Sequence, residues 1–316
     1  MSIPFFYSCN KEKYYKVKPS FSTKKELIAT KHFINEVMFP DFMTMSENIL
    51  SISSTTSDTM LFHYLVPEMK LIKGNGTKGN AFDEFSAFPM FCHTPINDEL
   101  YIWGYKPNII KKFAVTEQNN LEYVESFIID YESFNNMNII RDSLLIYYLI
   151  DNLEIKKKNL HKNTLIDNVK LKKDDHKESY FYSNRGMIVA NDSIIVHAYL
   201  FKNRIDIYDI ETLELKAVIE DKKDPTTITL GDFDNLEYHY INLVAGKEYF
   251  YALYSGQKNN DKSKDKNRIQ VYDFKGKSII EYEFDIPPLI FVVDEKNQMM
   301  YGFNGEYQDY LLSYEM

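Results

Sequence analysis

Three glycines set the first chemical question. Gly74, Gly76 and Gly79 fit G-x-G-x-x-G, a spacing that cradles phosphates when a helix follows and points its N-terminal amides at the ligand. Here Phe82, Phe85, Phe88, Pro89 and Phe91 follow, residues suited to strands rather than to a helix N-terminus. The segment therefore reads as backbone freedom between two β units, and no helix should begin at Asn80. Asp232-Phe-Asp234-Asn235 offers oxygen ligands for calcium but lacks the glycine and distal bidentate glutamate of a dedicated loop. The seven histidines are scattered with no i,i+4 pair, so no metal and no cofactor is expected. Cys92 has no evident base and no G-x-S-x-G occurs, which leaves covalent catalysis unsupported and the catalytic set empty.

Aromatic and amide side chains offer a different chemistry. Trp103 and Tyr105 flank one loop, and Tyr180, Tyr182, Asn184 and Arg185 crowd another. Asp232, Asp234, Asn304 and Tyr307 complete a candidate ligand set. Flat apolar area beside directional hydrogen-bonding groups suits a glycan, peptide or protein partner. Net charge is −9, without the basic field that nucleic acid requires, so no nucleic-acid partner is expected. The lysine runs Lys156–Lys158 and Lys170–Lys173 read as solvated strand and turn faces.

The elements that must carry these residues repeat. Polar turns centred near Glu47, Asp98, Asp142, Asp192, Gly246 and Glu295 each precede an apolar run, at spacings of 51, 44, 50, 54 and 49 residues. Such periods mark propellers or solenoids. Asn203–Asp209 with Glu214–Ile219, and Asn267–Asp273 with Lys277–Glu283, are the same hairpin one unit apart, each placing Tyr-Asp at its turn. Ile139 to Leu160 shows some helical spacing, but its β-branched and aromatic content favours strand. The last unit stops one strand short, and Lys25–Thr30 supplies the missing piece by pairing with Tyr310–Tyr314. Closing the ring from the opposite terminus removes an open edge. The fold expected is all-β: a six-bladed β-propeller of four-stranded antiparallel blades, spanning 24–316 and monomeric.

Residues 1–23 read as a lipoprotein signal remnant and tether, with Cys9 after Ile3-Pro-Phe-Phe-Tyr-Ser8 as lipid acceptor and the only membrane attachment. Six units, Lys73-Gly-Asn-Gly76 with Glu84-Phe85 further on, and that cysteine together resemble the TolB-like six-bladed propellers of bacterial envelope lipoproteins, close to NHL-repeat propellers. The family's first-blade loop reads K-G-x-G-P-x-E-F; this chain lacks the proline and carries a longer insert. The resemblance implies a propeller in the cell envelope, periplasmic or on the outer membrane, and assigns no catalytic residue. The function expected is a non-catalytic binding propeller. The alternative is a calcium-dependent hydrolase or lyase of the lactonase or NHL-lyase type, resting on Asp232 and Asp234.

Overall fold

The computed structural model describes residues 14–37, 39–56, 58–79, 81, 84–95, 98–105, 107–130, 132, 134–171, 180–221, 235–261 and 267–316. An N-terminal arm carries β1 (Tyr15–Val17), β2 (Lys24–Leu27) and β3 (Thr30–Phe33). Blade 1 is β4 (Phe42–Ser46), β5 (Ile49–Ser53), β6 (Thr59–Leu65) and β7 (Lys70–Thr77). Blade 2 is β8 (Met90–Cys92), β9 (Glu99–Gly104), β10 (Ile109–Val115) and β11 (Leu121–Ile128), and blade 3 is β12 (Phe134–Ile140), β13 (Leu144–Leu149), β14 (Glu154–Asn159) and β15 (Thr164–Lys170). After a five-residue helix α1 (Tyr180–Asn184), blade 4 is β16 (Gly186–Ala190), β17 (Ile194–Tyr199), β18 (Arg204–Asp209) and β19 (Leu215–Glu220). Blade 5 is β20 (Glu237–Ala245), β21 (Tyr249–Lys258), β22 (Arg268–Asp273) and β23 (Ser278–Phe284). Blade 6 is β24 (Ile290–Asp294), β25 (Met299–Phe303) and β26 (Tyr310–Glu315), completed by β3.

The first strands β4, β8, β12, β16, β20 and β24 contact one another in a closed circle, so they line the axis of a six-bladed propeller. Blade faces pack as large apolar layers. Blades 4 and 5, for example, share Val196, Ile207, Ala217, Tyr240, Phe250 and Tyr272. The turn aspartates act as the sequence suggests: Asp209 Oδ1 accepts from the amides of Glu211 and Thr212, and Asp273 Oδ1 from those of Lys275 and Lys277. The range 139–160 holds the end of β12, then β13 and β14 with turns between them, and no helix, as its composition suggests.

Closure differs from the expected register. Thr30–Phe33, not Lys25–Thr30, pairs antiparallel with β26, setting Phe33 against Tyr310 and Thr30 against Ser313. Lys24–Leu27 lies instead parallel on β23 of blade 5, and Tyr15–Val17, read above as tether, lies parallel on β19 of blade 4. Short polar segments can add to an edge by backbone pairing alone, a signal that hydrophobic alternation does not carry. Paired structure thus begins ahead of residue 24; Cys9 lies outside the described residues.

Gly74 and Gly76 also move. They belong to β7, the outer strand of blade 1, and Gly76 takes φ 72°, where a Cβ would meet the Leu61 side chain at 2.8 Å. No helix occurs among the described residues from Lys78 to Phe91; Asn80 itself lies outside them. Finally, Lys156–Lys158 is not a solvated face. Lys157 and Lys158 are each 5% exposed. Lys158 pairs with Asp130 at 2.9 Å and Lys156 with Glu132 at 3.1 Å, while Lys157 donates to the Ile210 and Glu211 carbonyls. Long aliphatic stems let these ammonium groups reach partners on blades 2 and 4 from inside blade 3. Lys170 is exposed, and Lys172 and Lys173 lie outside the described residues.

One histidine yields a pH prediction. His63 is 2% exposed, its Nδ1 meeting Ser51 Oγ at 2.8 Å and its Nε2 meeting Asn75 Oδ1 at 2.9 Å. Burial pushes its pKa down to about 4. In the unfolded chain the imidazole titrates near 6.5, so unfolded molecules take up the proton first as pH falls. The stability is intact above that value and lost as pH drops towards 4, by about 2 kcal/mol at pH 5. Thermal melts at pH 7.5 and pH 5 should differ less for His63→Gln than for the unmodified chain. Equal differences would remove His63 from the acid response.

Candidate functional site

A cavity of about 1370 Å³ runs along the inner strands. It extends from Phe42 and Ile290, where inner strands begin, to the first turns at Glu47–Asn48, Gly246–Glu248 and Glu295–Gln298. Its wall mixes apolar side chains such as Met43, Met45, Phe91 and Val244 with Thr44, His93, Asn136 and Asn242. An inner strand shows one face to the axis and the other to its blade, so polar groups at alternate positions reach the channel without disturbing the core.

Blade 3 deforms at this wall. The β12–β13 register shifts between Asn135 and Asn138, and Asn136 sits at φ 49°, a conformation asparagine tolerates better than most residues. The Asn136 carbonyl accepts from Asn138 Nδ2 at 3.1 Å, and Asn138 Oδ1 accepts from the Ala190 amide at 2.9 Å. The His93 amide donates to the Met137 carbonyl and the Ile139 amide to the His93 carbonyl, each at 2.8 Å. Burial lowers the His93 pKa, keeping the ring neutral where it faces Ala190. These bonds lock the inner strands of blades 2, 3 and 4 together. Asn136 Oδ1 itself has no hydrogen-bond partner among the described residues.

Charge is concentrated at the turn end. The cavity lining holds six carboxylates, including Glu47, Asp98, Glu117 and Glu248, against Lys247 and Lys296. Glu295 is fixed there: its oxygens accept from the amides of Lys247, Glu248 and Tyr249 and from Tyr251 OH. Asp142 plays a related part between blades 2 and 3, meeting Tyr101 OH and, at 2.7 Å, Lys112 Nζ. Burial and these carboxylates raise both tyrosine pKa values.

None of the described residues among those chosen from sequence lines this cavity. Trp103 is 6% exposed and packs edge-on against Tyr105 and Phe134 at 6.1 and 5.7 Å. Tyr180 opens α1, Tyr182 meets Phe201 at 5.9 Å, and the buried Asn184 accepts from Tyr148 OH through its carbonyl. The Arg185 carbonyl accepts from the Leu200 amide. Asn304 is buried, its side chain bonded to the Pro287 carbonyl and the Glu306 amide, and Tyr307 lies under Lys31 Nζ at 4.0 Å. Asp232 and Asp234 lie outside the described residues, and no group of three metal-ligating side chains occurs among the described ones. The Trp103 pair, the α1 group and the Asn304 pair thus stand on different blades. Sequence reasoning missed Thr44, His93, Asn136 and Asn242, whose signal is a polar residue inside or beside the apolar run ahead of each turn.

No protein-family model matches the chain, and no curated protein matches it. Among solved structures, the chain is similar to a Bacteroides fragilis protein named for its expected export, with TM-score 0.60 and 11% identity over 96% of this chain and 98% of that one. It is also similar to U3-55K, at TM-score 0.53 and 8% identity over 91% of this chain and 98% of that one. The WD40 repeats of RRP9 give TM-score 0.53 and 7% identity over 91% and 97%. At these identities the likeness shows a shared propeller fold.

Proposed function

We propose that the chain is a non-catalytic binding propeller of the cell envelope that takes an uncharged oligosaccharide into its axial cavity from the turn face. The observation that carries this reading is the cavity wall, which sets the Thr44 hydroxyl and the Asn136 amide beside Phe42 and Phe91; Asn136 stands at φ 49° in a bulged strand, its side-chain oxygen buried and bonded to no described residue. Amide and hydroxyl groups both donate and accept, which suits sugar hydroxyls, and Phe42 and Phe91 add apolar area for ring faces. Six carboxylates in the lining oppose polyanions, including nucleic acids and uronate-rich glycans. Envelope location is supported by the likeness to a protein of the same fold named for its expected export, and the TolB-like resemblance points the same way.

Calorimetric titration with neutral and uronate-containing oligosaccharides tests it. Neutral chains should bind, and Asn136→Gly, which keeps the backbone and deletes the amide, should weaken binding about tenfold, the effect of one lost hydrogen bond. Val244→Trp should fill the channel and abolish binding. Retained affinity in both variants, or binding of an unstructured peptide panel instead, would reject the assignment.

A further inference from the structure

The outer strands of five blades share one irregularity. Each skips a residue against its neighbour: Ile72 in β7, Val124 in β11, Ile166 in β15, Lys216 in β19 and Ile279 in β23. Past that bulge the outer edge is occupied in blades 4 and 5. β1 lies parallel on Ala217–Ile219, and β2 lies parallel on Glu281–Phe284. On blade 5 the fit is chemical as well as backbone-directed. Lys24 stands opposite Glu281, with Nζ at 2.7 Å from its carboxylate and 3.4 Å from that of Glu283, and Leu27 stands opposite Phe284.

Blades 2 and 3 keep this edge open among the described residues, and on blade 1 Phe85 pairs with its end, donating its amide to the Thr77 carbonyl. Blade 1 blunts it with Lys73, Gly74 and Gly76, features that discourage strand addition. Blade 3 presents the polar run Asp167-Asn168-Val169-Lys170. Blade 2 presents Glu125-Ser126-Phe127-Ile128, which carries the glutamate and, three residues on, the apolar side chain of Glu281-Tyr-Glu-Phe284, beginning one residue past its bulge where the blade 5 motif begins two past its own. Ile128 is 74% exposed, the most exposed large apolar side chain among the described residues. Tyr123 and Val124 extend the apolar strip at 37% and 47%.

We infer that the outer edge of blade 2, Glu125–Ile128, is a docking site for an extended segment of another polypeptide that adds in parallel as a fifth strand. The segment it fits carries a lysine opposite Glu125 and an aliphatic residue three positions on, as Lys24 and Leu27 do on blade 5. Backbone pairing supplies affinity and the two side-chain positions supply choice. This site is separate from the axial cavity and stands or falls without it.

The probe is a fluorescent peptide of residues 20–29 of this chain, titrated against the full-length protein with amide exchange read by mass spectrometry. Binding should protect Glu125–Ile128, and Lys24→Glu with Lys25→Glu in the peptide should weaken it at least tenfold. Glu125→Lys with Ile128→Lys in the protein should abolish that protection without moving the melting temperature. Protection confined to Glu281–Phe284 means the peptide only replaces the chain's own arm, and overturns the inference. So does no binding at millimolar peptide. A concentration-dependent dimer in sedimentation that Glu125→Lys dissolves assigns the edge to a second copy and likewise overturns it.

Discussion

A chain lacking residues 1–33 should emerge as aggregate, whereas one lacking residues 1–28 should remain monomeric but less stable. The shorter deletion removes β1 and β2 and with them Leu27, which is 1% exposed and packs with Tyr282 and Leu312. Losing a leucine so placed costs about 2–5 kcal/mol, and the blade 5 edge loses its parallel partner. The longer deletion also removes β3, so β26 becomes an unpaired edge carrying Leu311 and Leu312, both buried in the closed ring. An open, apolar edge recruits other chains. Size-exclusion profiles and melting curves of the two truncations check this. A monomeric 34–316 fragment with the melting temperature of the full chain would show that β3 contributes nothing to closure.

Asp206→Ala should lower stability by about 3–5 kcal/mol, the usual consequence of removing one partner from a buried charge network. Asp206 is 1% exposed and accepts from Tyr199 OH at 2.7 Å, from Arg204 Nε at 2.7 Å and from Tyr208 OH at 3.2 Å. The guanidinium also lies over the Tyr199 ring at 5.4 Å. Without the carboxylate, a mostly buried cation and two phenols lose their acceptor together. Burial, then the Asp206 charge, hold both tyrosines well above their ordinary pKa, so neither ionises to compensate. Blade 5 solves the same problem differently. Gln270 occupies the equivalent position and the charge moves to Glu281, which meets Arg268 Nε and Gln270 Nε2, each at 3.1 Å. Gln270→Ala should therefore cost less than Asp206→Ala. Urea unfolding of both variants decides it: equal midpoints would mean that the charge at Asp206 adds nothing to its hydrogen bonds.

Much of this architecture was legible because blade repeats are local. The turn markers from Glu47 to Glu295, the paired Asn-Arg-Ile hairpins and the β character of Ile139–Leu160 all follow from residues near in sequence. What escaped depends on distant partners. Tyr15–Val17 and Lys24–Leu27 become strands only because β19 and β23 offer edges some 200 residues or more away. Lys157 and Lys158 are buried because carbonyls and carboxylates from adjacent blades meet them, which a lysine run does not announce. The candidate site escaped for a related reason. Aromatic loop residues such as Trp103 and Asn304 drew attention by composition, yet they are spent on packing and loop carbonyls. Asn136 stands out only when the strand bulge and its buried, unbonded oxygen are both visible.

The arm has a consequence for timing. His32 bonds Ser313, 281 residues further along, and Tyr15 bonds the Lys275 carbonyl, 260 residues further along. During synthesis the arm is made well before its partners, so no ring can close until the sixth blade has left the ribosome. Contacts of such separation slow folding, because a long loop must be closed before any of them is rewarded. Until that moment the growing polypeptide is a row of incomplete sheets rather than a finished disc. A chain in that state can still be threaded through a narrow pore; once Ser313 meets Thr30, it cannot.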